Sequence, residues 1–170
     1  TMILDQLPNN TKVGLTSFSS GSYKNNKEWS ESVNGLVRLG DEGKRDSAIQ
    51  FVNTLDNEKV TRWGGTDPWN AIQKAFDDTE TDTLYLMSDG RPNRDRNGGS
   101  WSNWDHQSTA NYYAGENNNR KHEGEDRALI VNATSLGLES PWLEKLSELT
   151  QGYYNQIDKD SIKESQDEIS

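Results

Sequence analysis

Two nearly continuous apolar stretches, Leu84-Tyr-Leu-Met87 and Ala128-Leu-Ile-Val131, constrain this chain more than anything else in it. Each is too short for a helix of its own, and both lack the strict alternation of a strand with one wet face, so they read as buried strands. Helix starts stand between and after them. In "GGTDPWNAIQKAFDD", Asp67 is placed to cap, Pro68 suits the first helical position, and Trp69, Ile72 and Phe76 share a face. "SPWLEKLSELT" repeats the pattern with Ser140 and Pro141, and turns Leu143, Leu146 and Leu149 to the core. Strands alternating with helices predict an α/β fold built on a mainly parallel sheet.

The remaining segments are weaker. Residues 2 to 7 read as the end of a helix already under way, so the chain is expected to be trimmed at its N-terminus. "KVGLTSF" alternates as a strand, a short strand is expected around Leu36 to Leu39, and Ala48, Ile49, Val52 and Leu55 mark a helix over 44–56. "GYYNQI" reads as the last strand, and residues 158–170 as an acidic tail able to form a helix. Residues 91–127 form the longest irregular region, with a short helix expected over 109–114.

Composition excludes several classes. A formal net charge of −10 and an isoelectric point near 4.7 repel nucleic acid phosphates and favour a divalent cation or a basic partner. The absence of cysteine removes disulfides and zinc–thiolate sites. No apolar run is long enough to cross a membrane.

The candidate chemistry sits where strands meet loops. Ligands of open parallel sheets bind at the carboxyl ends of the strands. "GGTD" stands just before a helix and "SDG" just after a strand, so Thr66 offers a hydroxyl oxygen and Asp89 a carboxylate. Hard cations such as Mg²⁺ take oxygen ligands. Trp69 reads as core, whereas Trp101 and Trp104, in "GGSWSNWDH", read equally as partner anchors or as loop packing. His106 and His122 are isolated, and "HEGED" has the wrong spacing for a zinc helix. Arg91, Arg94 and Arg96 would suit the phosphoryl clamp of a metal-assisted hydrolase with Asp89 as ligand or nucleophile, but no second carboxylate at a strand tip, no serine-base arrangement and no phosphate-cradling motif accompanies them, so that reading ranks last and no enzyme activity is expected.

"GGTDPWNAI" and "LYLMSDGRPN" resemble the threonine and aspartate loops of the von Willebrand factor A domain family. "LDQLPNNTKVGLTSFSS" resembles the end of that family's first helix and its second strand, and "IVNATSLGLESPWLEKLSELTQGYYNQI" its fifth strand, following helix and last strand. The resemblance spans residues 2 to 157 and implies one domain over 1–157 with a doubly wound, Rossmann-like sheet covered by helices on both faces. It implies that Thr66 and Asp89 are ligands of a Mg²⁺ or Mn²⁺ ion in a metal-ion-dependent adhesion site, which grips a carboxylate on a protein partner. It also implies an extracellular, periplasmic or cell-surface setting, with a cytoplasmic one as the alternative. The family's Asp-x-Ser-x-Ser loop and central first strand are missing from this sequence. The ion is therefore expected only in a complete domain, and a metal-free scaffold is the alternative.

Overall fold

The computed structural model describes residues 2–19, 26–55, 66–88, 91–122, 125–126, 128–158 and 160. The chain divides into two compact units, Thr1–Ala71 and Ile72–Ser170.

The first unit holds α1 (Met2–Gln6), β1 (Lys12–Val13), β2 (Thr16–Ser17), β3 (Lys27–Glu28), a 3₁₀ turn over Ser30–Ser32, β4 (Val37–Arg38) and α2 (Lys44–Leu55). The single strand expected over "KVGLTSF" is two short pieces: β1 pairs antiparallel with β4, and β2 antiparallel with β3. The two pieces take separate partners, so they form no continuous ladder. Leu4, Trp29, Leu39 and Ala48 form the core, with Leu7, Val13, Leu15, Val37, Ile49, Phe51 and Val52 packed around it. Trp29 is buried without wasting its polar group, because the indole N–H donates to Ser47 Oγ at 3.0 Å. The Arg45 guanidinium closes the C-terminal end of α1. It donates to the carbonyls of Leu4 and Leu7, the latter at 2.7 Å, and to Asn9 Oδ1 at 3.0 Å. A cation at that end also complements the helix dipole.

The division between the units falls inside α3 (Trp69–Asp77), which begins one residue later than Pro68 implied. Trp69, Ile72 and Phe76 are buried, as their spacing predicts.

The second unit holds β5 (Thr83–Ser88), α4 (Asn103–Asn118), a hairpin of β6 (Lys121–His122) and β7 (Glu125–Asp126), β8 (Ile130–Leu136), α5 (Pro141–Leu149) and β9 (Tyr154–Ile157). Three of its strands make a parallel sheet in the order β5-β8-β9. Leu86 pairs with Ala133, and Ala133 with Tyr154. The protein is therefore mixed α/β with a three-stranded parallel sheet. Helices α4 and α5 pack on each other, and α5 also packs on β8 and β9. Leu86, Val131, Ala133, Tyr113, Trp142, Leu143 and Leu146 are buried.

The strands of this sheet are not buried throughout. Tyr85 is 64% and Met87 55% exposed, while Leu86 between them is buried. Successive side chains of a strand leave opposite faces, so a run of four apolar residues supplies both faces whether or not both are covered. Leu149, expected in the core, is also exposed at the last turn of α5.

Helix α4 is far longer than the short helix expected over 109–114. Its start is fixed by Asp105, whose Oδ2 accepts from the Ser102 backbone N–H at 2.6 Å and from Ser102 Oγ at 2.7 Å. At its far end Asn117 is buried and bridges to Leu129: Nδ2 donates to the Leu129 carbonyl at 2.8 Å, and Oδ1 accepts from the Leu129 N–H at 2.7 Å. Arg120 follows, also buried. Its Nε donates to the Phe76 carbonyl at 3.1 Å, and Nη2 to the carbonyls of Asp78 and Thr81. The turn between α5 and β9 lies hard against β8, since a Cβ at Gly152 would stand 1.9 Å from the Val131 carbonyl oxygen. Only glycine fits there.

Candidate functional site

At the carboxyl edge of the parallel sheet, Ser88 of β5 and Ser135 of β8 are register partners, and both are buried. Ser135 Oγ donates to the Leu138 carbonyl, turning the chain toward α5. Beyond Ser88, the expected ligand Asp89 and its neighbour Gly90 lie outside the described residues. Thr66, in the first unit, is buried just ahead of α3. Its neighbour Asp67 donates its N–H to the Ser19 carbonyl at 2.8 Å. Of the two expected ligands, only Thr66 is among the described residues.

The donor set can still be tested against the ion that the motif implies. Thr66 and Asp89 are both oxygen donors, the kind a hard divalent ion takes, but two of them do not fill an octahedral shell. They fit part of a site, with the remaining ligands to come from water or from a further loop. Among the described residues, no group of three or more His, Asp or Glu side chains is arranged to hold a metal.

The segment from Arg91 to Ser102 is a built loop. Asp95 Oδ1 accepts from the N–H groups of Asn97 at 2.7 Å and Gly99 at 2.9 Å, and the Arg94 guanidinium donates to the Gly98 carbonyl at 2.9 Å. Gly98 takes the left-handed conformation this turn needs, with φ of +88°. The Arg96 guanidinium lies over the Tyr112 ring, 3.1 Å from its centroid. Arg94 and Arg96, two of the three side chains a phosphoryl clamp would use, are therefore engaged within the loop and with α4.

The two tryptophans of this loop part company. Trp104 is 84% exposed in the first turn of α4. Trp101 is half-buried and packs edge-on against His106, with centroids 5.1 Å apart, and against Trp142, 6.2 Å apart. Trp104 is accordingly the one available to a partner, while Trp101 has packing to do.

Sequence reasoning missed His106, which read as isolated. Its Nδ1 accepts the Trp142 backbone N–H at 3.2 Å, and Trp101 Nε1 faces its Nε2 at 3.5 Å. The residue capped by His106 stands 36 positions further along the chain, so no local motif announces it. Burial holds the imidazole pKa below the usual histidine value, the Arg91 charge adds to that, and Asp105 opposes it.

Comparison with protein-family models returns no match, and comparison with curated proteins returns none either.

Proposed function

We propose that this chain is a von Willebrand factor A-like binding module, whose Thr66 and Asp89 are ligands of a Mg²⁺ or Mn²⁺ ion that engages a carboxylate on a protein partner. The supporting observation is the parallel pairing of β5 with β8, from Thr83 and Ile130 to Ser88 and Ser135. In sequence β5 runs straight into Asp89-Gly90, and open parallel sheets bind ligands at the carboxyl ends of their strands, which supports a carboxylate ligand there. A hydroxyl ligand leaves the charge of the ion incompletely neutralised, and that remaining charge is what a partner's carboxylate would meet. In this reading the sheet belongs to a doubly wound arrangement with helices on both faces. Exposed Trp104 would add an apolar contact beside the loop.

A metal-free scaffold of the same fold is the second reading, favoured by the burial of Thr66. A thermal melt with and without Mg²⁺ or Mn²⁺ separates the two. An ion present at a hundred times its dissociation constant stabilises by about 2.7 kcal/mol, and Asp89→Ala and Thr66→Ala should each remove the shift. A melting temperature indifferent to both ions would leave the scaffold reading in place.

A further inference from the structure

Helix α5 has an unusual N-terminus. Its N-cap residue Ser140 makes no side-chain capping bond, and Ser140 Oγ is buried with no hydrogen-bond partner among the described residues. Helix-initiating N–H groups need acceptors, because the first turn has no intrahelical ones. Here they come from elsewhere in the unit. The Ser140 N–H donates to Tyr154 Oη at 3.0 Å, and the Trp142 N–H to His106 Nδ1 at 3.2 Å. The α5 start is therefore held by a side chain of α4, in a joint lined by Trp101 and Trp142.

An imidazole does this only when neutral. Its protonated form carries N–H on both nitrogens and has no acceptor left. With Nδ1 accepting, the neutral ring already holds its proton on Nε2, so protonation changes the Nδ1 side alone, where N–H would point at the Trp142 N–H beside the positive end of a helix dipole. We infer that His106 is a pH-sensitive latch between α4 and α5, closed while its imidazole is neutral and opened by protonation.

The surrounding charges set the direction. Arg91 resists protonation and Asp105 on α4 favours it, while the first turn of α5 carries Glu144. Desolvation and Arg91 win, so the folded pKa lies below the ordinary histidine value of 6.5. The unfolded chain then binds the proton more readily than the folded one. The latch contributes fully above pH 6.5, and its contribution is lost as the pH falls from there through the folded pKa.

NMR on the intact chain tests this, helped by there being only two histidines, His106 and His122. The imidazole ¹⁵N shifts should show Nδ1 of His106 unprotonated at pH 7.5 and titration below 6.5. Exchange of the Trp142 amide, corrected for its intrinsic pH dependence, should accelerate on the order of tenfold across that titration, as expected for one lost hydrogen bond. His106→Phe, which has no acceptor, should exchange fast at every pH. If that variant does not fold, the wild-type titration decides by itself. A Trp142 amide whose protection ignores the titration of His106, or a His106 that titrates at or above 6.5, overturns the latch.

Discussion

Replacing Asn117 by alanine should cost far more than an exposed asparagine at a helix end would. Its side chain sits inside the second unit and satisfies both main-chain polar groups of Leu129, which is itself completely buried. Alanine fills neither role and leaves a donor and an acceptor in a place water does not reach. Each buried, unsatisfied group costs about 1–3 kcal/mol. The better helix propensity of alanine returns about 0.5 kcal/mol. The expected net loss is about 1.5–5.5 kcal/mol, a large share of the roughly 5–15 kcal/mol available to a domain. Asn117→Asp adds a pH signature. A carboxylate can accept from the Leu129 N–H but would face the Leu129 carbonyl with a second oxygen, whereas the protonated acid can donate to it. The folded pKa of that carboxyl is raised, so this variant should be most stable below the ordinary carboxylate range and weaken as the pH rises through the folded value. Urea unfolding followed by far-ultraviolet circular dichroism gives the free energies, and amide exchange at Leu129 localises the damage. An alanine variant within 0.5 kcal/mol of wild type, with an unchanged urea dependence, would refute the reasoning.

Leu146, with no exposed surface, should cost about 2–5 kcal/mol when cut to alanine, measurable in the same titration. Trp104→Ala, by contrast, should leave the melting temperature within the range of a 0.5 kcal/mol change, since the side chain is 84% exposed. A drop of several degrees would mean that Trp104 packs after all.

The parts of the fold legible in the sequence were those whose buried faces are apolar. β5 and β8 came from continuous apolar segments, and α5 from Pro141 with Leu143 and Leu146. Helix α4 was largely missed for the opposite reason. Its buried residues are Thr109, Ala110, Tyr113 and Asn117, a helical spacing in which half the members are polar. Hydrophobic periodicity cannot see a face that is buried through hydrogen bonds. The Ser-x-x-Asp signature over 102–105 was the available clue. At the candidate site, the motifs select Thr66 and Asp89 by order and spacing. The bond from His106 to Trp142 was invisible because it depends on two helices meeting.

The register of the parallel sheet also bears on how it assembles. The pairs joining β8 to β9, such as Ala133 with Tyr154, are much closer along the chain than those joining β5 to β8, such as Leu86 with Ala133. Closing the shorter loop loses less chain entropy, and it captures α5 within the same step. The expected first assembly of this unit is then β8, α5 and β9, where the Gly152 backbone lies close against Val131. β5 would dock onto it afterwards, bringing Ser88 beside Ser135. During synthesis the strand that leads to Asp89 would leave the ribosome well before the strand it pairs with. It must wait for β8 before the paired carboxyl edge exists at all.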